Sequence, residues 1–262
     1  MLEPGRALIT GASYRLGRVI AVDLAAKGWS VAIHYNNSAD GAEETAAMAR
    51  AEGAFAITLQ ADLDDPEETS TLVARAAEGL GGPLNVLVNN ASTFKNDTIG
   101  TITEESWNWS MDSNLKAPVM LVQDFAAQAP APVPDHKGEP VSQAVAINMI
   151  DQRILSPTPQ FMSYLLAKSA LKMFTKTAAQ ALGPKVRIGA IGPGPTIIAT
   201  RQRESHFAMQ RSACVLERGS DPEDVLVAMR FILECKAFTG QMLAIDGGQH
   251  LTWQTPDVAP DV

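Results

Sequence analysis

The sequence predicts one α/β domain, a doubly wound seven-stranded parallel sheet with helices on both faces. Three observations carry this. Short β-rich apolar runs alternate with amphipathic stretches from end to end, the pattern of strand–helix–strand crossovers. Helix starts are marked by cap chemistry, in Asp65-Pro66-Glu67-Glu68 and again in Asp221-Pro222-Glu223. The first apolar run leads through a glycine-bearing loop, Thr10-Gly11-Ala12-Ser13-Tyr14-Arg15-Leu16-Gly17, directly into a helix.

In chain order, strands are expected at 6–10, 30–35, 55–60, 84–88, 145–149, 186–191 and 242–245. Helices are expected at 17–28 and 40–53, from Asp65, at 104–129 and 161–182, and from Asp221. Asp65 is the expected N-cap, Pro66 takes the first helical position, and Glu68 returns the cap. Residues 129–138 contain Pro130, Pro132 and Pro134 and read as a surface loop. Residues 197–215 show no firm pattern, and 254–262 form a polar, proline-containing tail. No repeat or domain boundary is visible.

A chain of 262 residues, 46% hydrophobic and 19% charged, has an ordinary globular balance and can bury a large core. The net charge of −8 argues against a nucleic-acid partner, which calls for a basic face. Cys214 and Cys235 lack metal-ligand spacing and imply no disulfide framework, and the four His are scattered, so no metal is expected. Strand pattern begins directly after Met1-Leu2-Glu3-Pro4, and no apolar run is long enough to span a bilayer. A cytoplasmic protein without a membrane partner is the expectation.

The chemistry centres on Asn148-Met149-Ile150-Asp151 and Ser163-Tyr164-Leu165-Leu166-Ala167-Lys168. Tyr164 and Lys168 share one helix face, one turn apart. An ammonium there favours the phenolate and makes Tyr164 a better proton donor near neutral pH. Asp151, where the chain leaves a strand, can converge on the same small substrate. Upstream, Pro118 has no N–H for the carbonyl of Asn114, so the long helix should be disturbed there. In the first loop Gly11 permits a tight turn and Gly17 close packing.

Thr-Gly-x-x-x-x-Leu-Gly, Asn89-Asn90-Ala91-Ser92, Asn114, Tyr164-x-x-x-Lys168, Pro193-Gly194-Pro195-Thr196 and Asp246-Gly247-Gly248 occur in that order. Together they resemble the short-chain dehydrogenase/reductase family over essentially residues 6–251. The resemblance implies a single-domain Rossmann fold, NAD or NADP as cofactor, and hydride transfer to or from a carbonyl, alcohol or imine. It also implies a dimer or tetramer, paired through the apolar outer faces of the helices at 104–129 and 161–182. Two positions depart from the common pattern: Arg15 replaces a third glycine, and Asp151 replaces a serine. Both are similar to pteridine reductases and to bacterial dihydromonapterin or dihydrofolate reductases of this fold. His34-Tyr35, Ser38 and Asn90-Ala91-Ser92-Thr93-Phe94 extend that similarity.

From this resemblance the catalytic set would be Asp151, Tyr164, Lys168 and Asn114, with Asn114 in a water-mediated proton relay. Gly11, Arg15, Leu16 and Gly17 would hold the pyrophosphate. No carboxylate stands among His34, Asn36, Asn37 and Ser38 to hold a ribose 2′-hydroxyl, which favours NADPH. Asp62 and Leu63 would flank the adenine, although Asp62 could equally cap a turn beside Asp64. Asn90, Ala91 and Ser92 would lie beneath the cofactor. Lys168 would hold the nicotinamide ribose, and Pro193, Gly194 and Thr196 the carboxamide. Arg15, Ser92, Phe94, Asp151 and Tyr164 would meet a pteridine, with Phe94 either stacking on the ring or anchoring its own loop. The expected activity is NADPH-dependent reduction of a dihydropterin or dihydrofolate. A reductase of ketones or acyl carbonyls is the alternative within the family, and a dinucleotide-binding regulator without turnover is the alternative outside it.

Overall fold

The computed structural model describes residues 2–198 and 202–253, so the 254–262 tail and positions 199–201 lie outside the described residues. Seven strands form one parallel sheet in the order β3-β2-β1-β4-β7-β8-β9: β1 Arg6–Ile9, β2 Ser30–Tyr35, β3 Ala56–Gln60, β4 Val86–Asn89, β7 Ala144–Met149, β8 Val186–Pro193 and β9 Met242–Ile245. Two short strands make a separate antiparallel hairpin: β5 Val133–Pro134, inside the 129–138 stretch expected to be only loop, and β6 Pro140–Val141, just after it. The sheet runs outward in opposite directions from the β1–β4 pair, and a crevice opens at the carboxyl ends of the strands there.

Side-chain alternation along the strands divides the core in two. Ile9, Val31 and Ile33 pack with Ile20 and Leu24 of α1 (Arg15–Ala26) and with Met229 and Ile232 of α8 (Pro222–Glu234). Leu8, Ala32 and Leu87 face the other way, onto Leu72 of α3 (Pro66–Gly79), Phe125 of α5 (Ala117–Gln128) and Ala178 of α6 (Met162–Leu182). α2 (Ala39–Ala51) completes the first layer. No described helix is long and apolar enough to cross a membrane.

Three elements differ in detail from expectation. The long helix has a change of pitch: α4 (Glu104–Met111) passes into a π-helical turn at Asp112–Lys116 before α5 begins. The Ala117 N–H reaches back to the Asp112 carbonyl, and the disturbance expected from Pro118 takes this form. Asp65 caps α3 by accepting from the N–H groups of Glu67 and Glu68. Glu68, however, does not return to the cap residue; its carboxylate accepts the Asp62 N–H at 2.5 Å and so closes the preceding turn. Within the unpatterned 197–215 stretch lies α7 (Glu204–Ser212), which has no buried residue and therefore no apolar stripe to read.

The first loop is fixed from both sides. Thr10 Oγ1 accepts the N–H groups of Asn90 and Ala91, each at 2.9 Å, while the Asn90 amide donates to the carbonyls of Thr10 and Gly11. Gly11 has φ +61°, and a side chain there would meet Ala91 Cα at 2.8 Å. A Cβ on Gly17 would lie 2.4 Å from the Gly11 carbonyl oxygen, so this position serves close packing. His34 sits behind the loop. Its Nδ1 accepts the Gly11 N–H at 3.0 Å, which leaves Nε2 to donate to the Ala61 carbonyl at 3.0 Å.

Burial, only partly offset by the Ala61 carbonyl, lowers the His34 pKa from 6.5 to about 4. Between those values the unfolded chain binds a proton that the folded chain excludes. The stabilisation is complete above pH 6.5 and is lost as pH falls towards 4, by about 3 kcal/mol in all. Urea unfolding of wild type and His34→Gln should therefore show a stability difference that shrinks by that order between pH 7.5 and 4. A difference independent of pH would contradict the neutral, bridging imidazole.

Candidate active site

A cleft runs along the carboxyl edge of the sheet in two connected parts. The first, of about 570 Å³, is lined by the Gly11–Gly17 loop, by His34 and Asn36–Ser38 at the end of β2, by Asp62 and Leu63 after β3, and by Asn90–Ser92 after β4. The second, of about 510 Å³, is lined by Phe94, Asp151, Arg153, Tyr164, Pro193, Gly194 and Thr196. Arg15, Leu16 and Ser92 border both, so the two parts form one channel. Asn114 and Lys168 lie behind the second part and are almost wholly buried.

At the centre the Tyr164 hydroxyl donates to Asp151 Oδ2 at 2.9 Å, and Asp151 Oδ1 accepts the Arg153 N–H at 2.8 Å. Asp151 thus has two roles: one oxygen caps the short 3₁₀ turn Gln152–Leu155, the other faces the phenol. Lys168 Nζ donates to the Met149 carbonyl at 2.9 Å and lies 5.8 Å from the Tyr164 ring centroid.

Burial raises the Asp151 carboxyl above its usual range, against the Arg153 N–H, the Arg153 charge, the Tyr164 hydrogen bond and the Lys168 charge. Burial, and next the Asp151 charge, raise the Tyr164 phenol well above its ordinary value, with Arg153 and Ser92 opposing. Burial lowers Lys168 to about 8, with Asp151 opposing. The sequence led us to expect that Lys168 would draw Tyr164 down. The structure reverses this, first because the phenol is buried and next because the nearest charge to it is the carboxylate bonded to it.

Asn114 occupies the π-helical turn, and its side chain is fully engaged. Oδ1 accepts from Ser92 Oγ at 2.7 Å, and Nδ2 donates to Thr93 and to the Ser110 carbonyl. It ties the loop after β4 to the long helix. Asn89 and Asn148, neighbours on β4 and β7, form a separate buried polar chain to Thr175 of α6.

Several expected cofactor residues are occupied by structural bonds. Both His34 nitrogens are engaged. Asp62 Oδ1 accepts the Asp64 N–H at 3.0 Å in a turn, the capping alternative left open above. Thr196 Oγ1 donates to the Gly194 carbonyl at 3.1 Å. Arg15 keeps a left-handed backbone, φ +54°, where the common pattern has glycine, and its guanidinium donates to the carbonyls of Ile198 at 2.6 Å and Ile197 at 2.9 Å. It clasps the chain entering the 197–215 segment, and it borders both parts of the channel.

Phe94 is anchored, as the second of its two readings expected. One face stacks on Phe161, with centroids 4.3 Å apart and an interplanar angle of 13°, and Tyr164 meets it edge-on at 4.8 Å. Half of the ring remains exposed. Phe161 and Arg153 were missed from the sequence, as were Asn96 and Asp97. Asn96 Oδ1 accepts the Phe161 N–H and Asp97 Oδ1 the Ser163 N–H, so the loop carrying Phe94 caps the helix carrying Tyr164. Phe161 has φ +56° and carries no capping side-chain bond of its own, which removed the usual signal at that helix start.

A crevice at the sheet switch point, floored by a glycine loop and ending in a Tyr/Lys/Asp cluster, defines a dinucleotide-type oxidoreductase site. The chain belongs to the short-chain dehydrogenase family, whose model, "short chain dehydrogenase", matches residues 6–210. It superimposes on the FolM alternative dihydrofolate reductase 1 of Brucella suis, a structure in complex with NADP, with a TM-score of 0.90 and 40% identity over 99% of this chain and 100% of that one. It is 30% identical to pteridine reductase 1 of Leishmania tarentolae, over 94% of this chain and 96% of that protein. It is 26% identical to the 3-oxoacyl-[acyl-carrier-protein] reductase FabG of Staphylococcus aureus, over 94% and 98% respectively.

The electrostatics of the cluster can be tested directly. Asp151→Asn removes the anion beside the phenol, so Tyr164 should ionise at a lower pH than in wild type while burial keeps it above the ordinary range. Ultraviolet difference titration against Tyr164→Phe isolates that phenol. An unchanged titration would mean that the carboxylate does not set it.

Proposed function

We propose that this chain is an NADPH-dependent reductase of a pteridine, of the dihydropterin or dihydrofolate type. The observation that carries the reading is the carboxylate of Asp151 bonded to the Tyr164 hydroxyl, facing a cavity with the half-exposed Phe94 ring on its wall. A flat, amino-substituted heterocycle needs an acceptor along its polar edge, a proton for ring nitrogen and an aromatic surface. The relatives named for dihydrofolate and pteridine reduction support the same choice.

The residues present fit a dinucleotide. The loop Gly11–Gly17 and the start of α1 would take the pyrophosphate. The end of β2 offers Asn36, Asn37 and Ser38 and no carboxylate, which suits a 2′-phosphate. Asp62 and Leu63 would border the adenine, Asn90, Ala91 and Ser92 would support the cofactor from below, Lys168 would hold ribose hydroxyls, and Pro193, Gly194 and Thr196 would border the carboxamide. NADPH would supply the hydride. Tyr164 supplies the proton, Asp151 orients the phenol and receives hydrogen bonds from the substrate's amino edge, and Arg15, Ser92 and Phe94 shape the substrate's side of the channel. Asn114 holds Ser92 in place and would serve the relay through water to Lys168.

The FabG relative supports a second reading, reduction of a ketone or acyl carbonyl. NADPH oxidation against a panel of dihydropterins, dihydrofolate and simple ketones separates the two. Turnover of pterins, lost at least ~100-fold in Tyr164→Phe with NADPH binding kept, is expected. Asp151→Ser should cost pterin kcat/KM about 2–3 kcal/mol, the scale of a hydrogen bond to a charged group. A wild type inert on every pterin and active on ketones would establish the second reading.

In the cytoplasmic setting proposed here the chain would work as a homodimer or homotetramer. Leu166 and Met173 of α6 and Trp109 of α4 are exposed apolar side chains on the two helices expected to pair. Light scattering at micromolar concentration should show an oligomer; a monomer would remove this part of the proposal.

A further inference from the structure

We infer that Arg153 is the residue that selects substrates by the charge of their substituent, favouring a pteridine whose tail ends in a carboxylate. The inference rests on the pteridine reading and adds to it a determinant of specificity within the same cavity.

Among the described residues, two cations line the substrate part of the channel, Arg15 and Arg153. Arg15 is committed, with both terminal nitrogens donating to the carbonyls of Ile197 and Ile198. Arg153 is different. Its backbone N–H is held by Asp151, yet among the described residues its guanidinium makes no hydrogen bond and no ion pair. It is only partly exposed, and it lies over two rings, 5.2 Å from the Phe161 centroid and 5.8 Å from that of Phe94. Aromatic faces hold a guanidinium in place while leaving its N–H edge without an acceptor. A half-buried guanidinium with all five donors unused is suited to a planar, bidentate anion, and a carboxylate is that shape.

Among the described residues the wall holds one anion, Asp151, which feels the Arg153 charge but accepts no hydrogen bond from its guanidinium. Each Asp151 oxygen already accepts one hydrogen bond, from Tyr164 or the Arg153 backbone N–H, and no other carboxylate lines this part among the described residues. Gln152 is tied to Gln249 at 2.8 Å. A ring held between Asp151 and Phe94 extends its substituent along the same aromatic wall, where Arg153 covers both phenylalanines. A polyol substituent finds there a cation it cannot neutralise. A glutamate-type tail finds a charge-assisted partner.

Steady-state kinetics with NADPH test this, using dihydrofolate, whose tail carries carboxylates, and dihydrobiopterin, whose tail is uncharged. In Arg153→Gln the ratio of kcat/KM for dihydrofolate to that for dihydrobiopterin should fall by about tenfold or more, chiefly through the KM of dihydrofolate. Arg153→Lys should recover part of the ratio, because it restores charge without the planar fork. The wild-type KM for dihydrofolate should rise with salt, and that dependence should be lost in Arg153→Gln. A ratio unmoved in both variants, or an equal loss on both substrates, would overturn the assignment while leaving a pteridine reductase standing. A wild type that turns over neither pterin would remove the pteridine reading and the assignment with it.

Discussion

The hydrogen bond between Tyr164 and Asp151 joins a buried phenol to a partly buried carboxylate at the cavity wall, beside the buried Lys168, and the structure supplies partners where water is excluded. A buried carboxylate without partners would protonate, and a buried ammonium without them would lose its proton. Each partner comes from a different element. β7 ends at Met149, whose carbonyl receives Lys168, and Asp151 follows two residues on. α6 places Tyr164 and Lys168 one turn apart on a single buried face. The loop after β4 supplies Asn96 and Asp97, which hold the first turn of α6, and Ser92, which is anchored by Asn114. Moving any one of these would leave a desolvated group unmatched, at a cost of the order of 1–3 kcal/mol for each lost partner.

The other end of the channel depends on a strained residue. Left-handed backbone at a residue with a side chain costs roughly 1–2 kcal/mol, and Arg15 accepts it where glycine would not incur it. The two bonds from its guanidinium to the Ile197 and Ile198 carbonyls offset the strain. They also join the glycine loop to the segment that leads into α7. A glycine could provide the turn but not the clasp. The two parts of the channel are thus fastened by one residue that borders both.

Much of this was legible in the chain because it rests on local rules. Strand and helix positions follow from periodicity and caps, and the seven-stranded parallel sheet was read correctly from them. Tyr164, Lys168 and Asp151 announce themselves by spacing on one helix and by position at a strand end, and the structure brings them together. What escaped depended on distance in the sequence. The return of Glu68 to Asp62 skips the cap residue that local patterning points to. Phe161 opens a helix in a left-handed conformation with its N–H satisfied by Asn96, 65 residues away. Arg153 reads as an ordinary solvated charge until Phe94 and Phe161 are seen beneath it. The direction of the Tyr164 shift was misread for a related reason. Sequence shows which charges are near along a helix, but not how deeply the phenol is buried, which is the larger cause, nor that a carboxylate arrives from another element.

That reversal bears on why a carboxylate stands where the common family pattern has serine. A neutral hydroxyl beside the phenol would leave its acidity to burial and to Lys168. The Asp151 anion makes Tyr164 hold its proton more firmly in the free protein. The restraint is conditional, because it depends on how much negative charge Asp151 presents to the phenol. A ring whose edge donates hydrogen bonds to the carboxylate draws that charge towards itself and weakens its hold on the phenolic proton. A simple ketone has no such donors and leaves the phenol as reluctant as before. Proton release from Tyr164 would then be coupled to the presence of an amino-substituted heterocycle. The discrimination would lie in the acidity of the donor as well as in the shape of the cavity.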